Sequence, residues 1–467
     1  MIHAGIVVII AWGALAFGAV YAWAYLPMLA ACAAVGLLGF AWGRGAPASR
    51  ANRATILALL AVMAAGLAQL VPLPAGALKA LSPATDAFLQ HYDLGYALGT
   101  ARHPISIEPR ATMLGLAFLA AFLVFLAGLL RAFARFGVRG LVPAVVALGV
   151  VLALIAVIQK AVLGDHAYMG MKIYGFWTPE SKLVVPFGPY VNRNHFAGWM
   201  LMGIPLTIGY LCALLERGTA SIRPGWRSRL LWFSSPQGGR AVLVVFAVIV
   251  MTLSLTMSMS RSGMACLAVA AVVVGGRLLL SLRTPGARLA AAALFVLLIA
   301  VPALWLGLGA TVDRFSSDSV GSIETRLHAW RDTRAVIRDF PLTGTGLNTF
   351  GTAMVMYQSG NRDVHFQESH NDYLQLLAEG GVLLSVPILV AGLLFVRAVS
   401  RRFREAGEDR TTSWIRFGAA AGVLAIALQS LVEFSLQMPG NAAFFVVLLA
   451  IAMHRPPAAR PASSLSA

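Results

Sequence analysis

A histidine in a polar turn is the first residue in this chain whose type and position could do chemistry. His370 lies in the stretch Ser369–Tyr373, directly before a long apolar run. Its imidazole can accept a proton near neutral pH, which suits a general base acting on a hydroxyl group. The alternative is that His370 is only a hydrogen-bonded helix cap. Asn371, Asp372 and Tyr373 continue the same polar turn as candidate binding residues.

Two arginines are candidates for binding an anion. Arg261 joins two apolar runs with almost no loop between them, and Arg326 lies on a short predicted helix with three other arginines. A guanidinium can donate two parallel hydrogen bonds to a phosphate. For Arg261 the alternative is an arginine that only extends its charged end to the membrane interface. Helical periodicity does not select Arg326 from its three neighbours.

A third polar cluster consists of Arg193, Asn194 and His195, which precede another apolar run. Helix N-termini favour anions because their first backbone N–H groups have no partner within the helix. These three residues are therefore candidates for contact with a polar substrate. The alternative for Asn194 is a structural role as the helix N-cap.

These candidates must be positioned by a membrane scaffold. The chain has 467 residues, of which 59% are hydrophobic and 12% charged, and soluble domains carry about 25% charged residues. A bilayer core requires about 20 apolar residues of helix. The sequence thus predicts an all-α, polytopic membrane protein with about twelve spans, at 5–22, 24–42, 54–72, 111–130, 141–163, 195–215, 241–259, 263–281, 289–308, 373–396, 414–435 and 441–453.

The net charge of +17 is explained by orientation rather than by a nucleic-acid partner. Arginine clusters follow every second predicted span, whereas basic and acidic residues nearly balance in the alternate segments. The positive-inside rule places the arginine-rich side and both termini in the cytoplasm. Three long segments, 73–110, 164–194 and 309–372, then face the other side of the membrane. Long loops on a rigid scaffold commonly carry function.

The predicted organisation has four parts. Residues 1–194 form N-terminal membrane helices with two external loops, and 195–308 form the central membrane helices. Residues 309–372 form an external catalytic loop, and 373–467 form the C-terminal helices and tail. Within the loop, a helix is expected from Ile323, capped by Ser322 and ended by Pro341, with Ile323, Leu327, Trp330 and Ile337 on its apolar face.

No nucleotide or cofactor motif is found, and a metal site formed by His365, Glu368 and His370 is not favoured because the spacing matches no zinc pattern. We therefore expect neither a cofactor nor a metal. Glu379 and Glu433 are acidic residues within predicted spans, where either could pair with an arginine such as Arg261.

The blocks "SMSRSG", "ETRLHAWRDTRAVIRDFPLTGTGLNTF" and "SHNDYLQLLAEGG" resemble the O-antigen ligase and polymerase superfamily of bacterial envelope proteins. "VPFGPYVNRNHFAG" and "SLVEFSLQMPGNAAFFVVLL" are similar to further blocks of it, so the resemblance extends over 185–452. It implies about twelve spans in the inner membrane and a large periplasmic loop before the tenth. It also implies a glycan donor on undecaprenyl pyrophosphate, inversion at the sugar, and no metal.

The resemblance also implies roles for three residues. Arg261 matches the arginine after the seventh span, Arg326 the arginine of the large loop, and His370 the histidine of the His-Asn/Ser motif. The two arginines would stabilise the leaving pyrophosphate, and His370 would orient or deprotonate the acceptor hydroxyl. Asp372 would hold His370 or an acceptor sugar.

Two versions of this function remain open at this point. A ligase passes the glycan to a lipid A core sugar or another acceptor, whereas a polymerase passes it to another lipid-linked repeat. A transporter of polysaccharide or lipid is the alternative from a different class. Transporters place polar residues at mid-membrane in broken helices related by internal repeats. Here the candidates cluster at one face, and no repeat of the two halves is evident.

Overall fold

The structure is a computed structural model of the full chain. It describes residues 1–44, 49–99, 102–163, 172–180, 185–219, 227, 231–232, 234–282, 285–286, 288–289, 319–360, 365–405 and 409–455. Within these ranges the chain is helical, and β-structure is limited to isolated bridges such as Leu73–His103.

Helices account for nearly all of the described architecture. In chain order they are α1 Ile2–Leu15, α2 Ala22–Trp42, α3 Arg50–Ala68, α4 Ala75–Leu81, α5 Pro83–Tyr92, α6 Leu94–Ala97, α7 Pro109–Phe136, α8 Val142–Leu163, α9 Arg193–Thr219, α10 Pro236–Met257, α11 Arg261–Ser281, α12 Ser319–Asp339, α13 Phe350–Tyr357, α14 Asp372–Arg404, α15 Arg410–Gln429 and α16 Pro439–Met453.

The prediction of an all-helical, polytopic membrane protein is confirmed. Among the described residues, nine helices are long and apolar enough to cross a membrane, namely α2, α3, α7–α11, α14 and α15. The helices α1 and α16 are apolar but shorter. The predicted span 289–308 lies outside the described residues apart from its first position, so the number twelve stays a prediction.

Two of the predicted spans continue well past the ends of their helices in the structure. The first was expected to continue to residue 22, but α1 ends at Leu15 and a short 3-10 turn follows at Phe17–Ala19, where Gly18 has φ 76°. The span predicted over 414–435 ends at Gln429. Glu433 therefore lies in a turn beyond the helix, not within a span as predicted.

The bundle is organised around α9, which has the most buried apolar window of the nine spans. It packs closely against α15, where a Cβ added at Gly209 would lie 2.6 Å from the carbonyl oxygen of Trp414. A Cβ at Gly418 would lie 2.5 Å from the carbonyl oxygen of Pro205. Small residues allow such close helix contacts in membranes, where apolar burial alone does not drive helices together.

A second, smaller core lies at one end of the bundle and joins two of the long loops. Leu78, Phe88 and Tyr96 from the 73–110 segment pack with Phe340 and Phe350 from the later loop. The two segments thus form one helical layer, and the end of the bundle that carries it is called the loop end below.

The helix expected from Ile323 exists but differs in two respects. It begins at Ser319 rather than after Ser322, and it ends at Asp339, close to Pro341 as predicted. The expected apolar face is wrong at Leu327, which is 50% exposed, whereas Ile337 packs against the smaller core as expected. The buried positions are Ala329, Asp332, Thr333 and Val336. Asp332 is drawn inward because its carboxylate accepts hydrogen bonds from the backbone N–H and the hydroxyl of Ser359, at 3.0 and 2.6 Å.

The helix α14 is interrupted at Gly381, which has φ 53° and ψ −155°. The adjacent loop satisfies the backbone groups that the interruption releases. The N–H groups of Thr345 and Gly346 donate to the carbonyls of Ala378 and Glu379, each at 3.0 Å. In return, the N–H of Val382 donates to the carbonyl of Pro341 at 2.9 Å. This pairing matters because unsatisfied backbone groups are costly at membrane depth.

The side chain of Gln69, at the end of α3, completes this junction. Its amide nitrogen donates to the carbonyls of Thr343 and Glu379 at 2.7 and 2.8 Å, and its amide oxygen accepts from the N–H of Leu347 at 3.0 Å. Gln69 is fully buried. Gln69 thus connects the end of α3 by hydrogen bonds to the loop 343–347 and to the interrupted helix α14.

Gly381→Ala is expected to lower the free energy of unfolding by about 2 kcal/mol or more, because its backbone conformation is essentially restricted to glycine. An added Cβ would also lie 2.6 Å from the backbone nitrogen of Gly344. Gly392→Ala on the same helix is the matched control, since a Cβ there meets nothing within 4 Å. Thermal unfolding of the purified protein in detergent measures both, and equal midpoints would contradict this account.

Candidate functional site

A strained turn before α14 presents His370. The backbone of His370 has φ 54°, which is uncommon for a residue with a side chain. The hydroxyl of Ser369 donates to the carbonyl of Asn371 at 2.7 Å, and the N–H of Ser369 donates to the side chain of Gln375 at 2.9 Å. Because both neighbours are fixed, the imidazole is held with 28% of its side chain exposed. Such strain is typical of functional positions.

Glu433 lies where the turn after α15 meets this histidine. The Glu433 side chain is 1% exposed, and its Oε2 lies 3.8 Å from Nδ1 of His370. Its Oε1 accepts a hydrogen bond from the guanidinium of Arg326, which α12 projects toward it. Two of the three predicted catalytic residues, far apart in sequence, therefore meet at one carboxylate.

Asn194 is the third residue that contacts Glu433, with its amide nitrogen 2.7 Å from Oε1. Its expected alternative role as the N-cap of α9 is wrong. Asn192 caps instead, since its side-chain oxygen accepts from the N–H of Asn194 at 2.9 Å. The side chain of Asn194 is thereby left for Glu433. Glu433, Arg326, His370 and Asn194 are called the Glu433 cluster below.

Phe434 connects the cluster to His195. Its ring packs edge-on against His370, with centroids 4.9 Å apart, and against His195 at 4.7 Å. His195 is buried, and its carbonyl accepts from the side chain of Asn441 at 2.9 Å. The buried ring of His195 thus packs against Phe434, and its predicted contact with substrate stays a prediction.

The charge state of Glu433 follows from its neighbours. Burial raises the pKa of its carboxyl, but the nearby imidazole of His370 and the positive charge of Arg326 together bring it below its usual value. Glu433 is therefore an anion at neutral pH. A buried anion requires such partners, because an unpaired buried charge is strongly destabilising.

Arg261 and Arg193 are the first residues of two helices beside the cluster. Arg261 begins α11 after Ser260, whose hydroxyl accepts from the N–H of Gly263 at 3.3 Å. The next residue, Ser262, lies 3.5 Å from the amide nitrogen of Gln429, which also donates to the carbonyl of Asn194 at 3.3 Å. The beginnings of α9 and α11 are thus joined by this glutamine.

The remaining predicted residues surround the start of α14. Asn371 is its N-cap, and its side-chain oxygen accepts from the N–H groups of Tyr373 and Leu374 at 3.1 and 3.0 Å. Asp372 accepts from the amide of Gln437 at 3.0 Å. The hydroxyl of Tyr373 donates to the carbonyl of Ala427 at 2.8 Å, although the residue stays 45% exposed.

A buried network that sequence reasoning missed lies beside the turn. The amide nitrogen of Gln375 lies 2.6 Å from Glu368, 3.1 Å from Glu379 and 3.1 Å from Gln437. Glu379 also accepts from the N–H groups of Asn348 and Phe350, at 2.7 and 3.2 Å. The signal in the sequence is Glu379, an acidic residue within an apolar run, but most of its partners lie in a distant segment.

The cluster offers ionic and hydrogen-bonding groups rather than a ligand set for a metal. Within the described part of the chain, no three His, Cys, Asp or Glu side chains converge as metal ligands do. The arrangement can bind an anion through Arg326 and can accept a proton at His370. It can also stabilise the resulting imidazolium through Glu433.

A known family matches the middle part of the chain. Residues 246–389 match the family model described as O-antigen ligase. The matched region contains Arg261, Arg326 and His370, whereas Asn194 and Glu433 lie outside it. A search of curated proteins finds no match.

The Arg326–Glu433 pair is expected to couple in a double-mutant cycle by about 1–3 kcal/mol. This is less than the about 3–5 kcal/mol cost of breaking a fully buried pair, because 27% of the Arg326 side chain is exposed. The cycle compares Arg326→Gln, Glu433→Gln and the double variant by chemical unfolding in detergent. Arg334→Gln, an exposed arginine on the same helix, is the control and should combine additively with Glu433→Gln. Additivity of the first pair would contradict the assignment.

Glu368 is expected to make stability depend on pH. Burial raises the pKa of its carboxyl to about 8. A folded-state pKa above the unfolded value of about 4.3 means that stability falls as pH rises between these values. Glu368→Gln keeps an oxygen for Gln375 and removes this dependence. The variant should therefore become more stable than the wild type as pH rises from 5 to about 8.

Unfolding midpoints across this pH range test the prediction, and an equal pH slope for the two proteins would contradict it. The exposed Glu324, changed to Gln, should leave the slope unaltered.

Proposed function

We propose that this chain, a member of the O-antigen ligase and polymerase superfamily, transfers a glycan from undecaprenyl pyrophosphate to an acceptor sugar hydroxyl. The observation that carries the proposal is the meeting of Arg326 and His370 at the buried carboxylate of Glu433. Arg326 thereby supplies a cation for the departing pyrophosphate, and His370 supplies a base for the attacking hydroxyl beside it.

On the donor side, Arg326 and Arg261 bind the pyrophosphate. Negative charge grows on the leaving oxygen as the glycosidic bond breaks, and fixed cations stabilise that charge. Arg193, at the start of α9, faces the same anion from a helix N-terminus. No metal ion or cofactor takes part in the proposed reaction, because the arginines provide the positive charge.

On the acceptor side, His370 removes the hydroxyl proton as the acceptor oxygen attacks the anomeric carbon. The new carbon–oxygen bond forms on the face opposite the leaving group, so the anomeric configuration is inverted. The bond to the pyrophosphate oxygen breaks with its electron pair, which releases undecaprenyl pyrophosphate. Asp372 and Tyr373, next to His370, are proposed to contact the acceptor sugar.

Glu433 acts in this proposal as a positioning residue. Its carboxylate holds the guanidinium of Arg326 and the imidazole of His370 in fixed places, and it stabilises the imidazolium that forms on proton transfer. Asn194 fixes the carboxylate itself through its amide. The geometry needed for both halves of the reaction thus depends on one side chain.

The proposed setting is the inner membrane, with the site on the periplasmic face and both termini in the cytoplasm. The Glu433 cluster lies at the loop end of the bundle, and the arginine-rich segments lie at the opposite end. The positive-inside rule then gives the orientation. A lipid-linked donor in the bilayer would present its pyrophosphate at the level of the helix starts that carry Arg193 and Arg261.

Arg261→Ala, Arg326→Ala and His370→Ala are each expected to lower glycan transfer by about 100-fold or more, because each removes a group that acts on the transition state. The matched controls are Arg334→Ala on α12 and His365→Ala, both exposed and outside the cluster. They should retain wild-type activity. The assay measures transfer from a defined lipid-linked glycan by purified protein in detergent, with folding checked by the unfolding midpoint.

The same assay separates the ligase from the polymerase. The proposal favours the ligase, which requires product on a lipid A core acceptor. Extension of the lipid-linked glycan in the absence of that acceptor would identify a polymerase instead. Unchanged transfer by all three variants would show that the site is wrong.

A further inference from the structure

A cavity of about 280 Å³ lies between α2, α3 and α7, far from the Glu433 cluster. Its size is close to the lower end of the about 300–1,000 Å³ typical of small-molecule sites. Its lining includes Arg53, Arg131 and Arg455, together with Asn52 and apolar side chains. The three arginines come from three separate segments of the chain, and the fold brings them together at this cavity.

The cavity lies at the end of the bundle opposite the loop end. Along α3, Gln69 contacts the loop layer, whereas Arg53 is sixteen positions earlier, about 24 Å along the helix axis. Along α7, Thr112 bonds to the carbonyl of Leu347 in the loop layer, and Arg131 is near the other end. This is the end that the arginine distribution assigns to the cytoplasm.

The polar part of the cavity is suited to an anion. It is lined by three arginines and by no acidic residue of the described chain. Asn52 is 7% exposed, and its side-chain oxygen is buried without a hydrogen-bond partner among the described residues. A 180° rotation of this amide exchanges its oxygen and nitrogen, and the N–H2 can then donate a hydrogen bond to a ligand oxygen. Buried polar groups are usually bonded, which makes this one notable.

The apolar part of the cavity is suited to a hydrocarbon chain. Phe40 lies beneath the guanidinium of Arg131, with Cζ 5.6 Å from the ring centroid. Ile56 and Leu57 form part of the wall, and Leu57 is 65% exposed toward the surroundings of the bundle. A ligand that fills the cavity would therefore have a charged end at the arginines and an apolar end along α3.

We propose that this cavity binds the phosphate headgroup of an anionic phospholipid from the cytoplasmic leaflet. The headgroup phosphate contacts Arg53, Arg131 and Arg455, and an acyl chain lies along the exposed face of α3. Basic pockets between membrane helices on this side are typical of anionic lipid sites. A free phosphate would use the arginines and leave the apolar wall in contact with water or lipid, so the lipid fits the whole cavity better.

Binding is tested by native mass spectrometry of the purified full chain in detergent, titrated with dioleoyl phosphatidylglycerol. Dioleoyl phosphatidylcholine, which has the same chains and no net charge, is the comparison lipid. The wild type is expected to bind phosphatidylglycerol about tenfold more tightly than phosphatidylcholine. Arg53→Gln and Arg131→Gln should each remove most of that preference.

Arg401→Gln is the matched control, since Arg401 is an exposed arginine at the same end of the bundle and does not line the cavity. It should keep the full preference. Unfolding midpoints confirm that each variant is folded, and Arg53, being exposed, is the variant least able to disturb packing. An equal loss of preference in Arg401→Gln, or no preference in the wild type, would overturn the proposal. Displacement of the lipid by millimolar inorganic phosphate would also overturn it and would indicate a site for small anions.

Discussion

The buried carboxylate of Glu433 is the feature on which the candidate site depends. An ionised group that is 1% exposed must be compensated, and here Arg326, His370 and Asn194 supply the compensation. These partners come from α12, from the turn before α14 and from the start of α9. Because each must reach the same two oxygen atoms, the carboxylate fixes the relative positions of three segments. Pairing this one buried charge therefore determines the geometry of the candidate site.

A second constraint, the satisfaction of backbone groups, connects this site to the membrane helices. The interruption of α14 at Gly381 releases carbonyl and N–H groups, and the loop 341–346 takes them up. The turn that holds His370 immediately precedes the same helix. Gln375 lies between the two features and bonds to Glu368 on one side and Glu379 on the other. The position of the histidine and the interruption of the helix are therefore parts of one hydrogen-bonded unit.

The membrane helices were predictable from the sequence because their signal is local. Apolar runs of about 20 residues identify the spans regardless of what they pack against. The polar turns were recognised as well, since Arg193, Asn194 and His370 stand at the boundaries of these runs. What failed was the assignment of partners. Asn194 was weighed as a helix cap, but a residue two positions earlier fills that role and releases it for Glu433.

The same reason explains the errors on α12. Periodicity placed Leu327 on a buried face, but the polar Asp332 is buried instead because Ser359 bonds to it. Arg326 could not be distinguished from its neighbouring arginines by spacing. Its partner Glu433 is more than a hundred residues away, in a turn that hydropathy assigned to a span. Contacts between distant segments decide such cases, and no local pattern in a single sequence contains them.

Arginines have different roles at the two ends of this bundle. The residues that surround each arginine indicate which role it has. At the loop end, where orientation does not require positive charge, Arg326 is paired with a buried carboxylate that also contacts a histidine. At the opposite end, arginines follow the pattern that sets topology, and most are explained by it. Arg53, Arg131 and Arg455 are not explained by topology alone, because it requires only that they lie on that side. Their convergence on one cavity requires a local cause, and a bound anion supplies one.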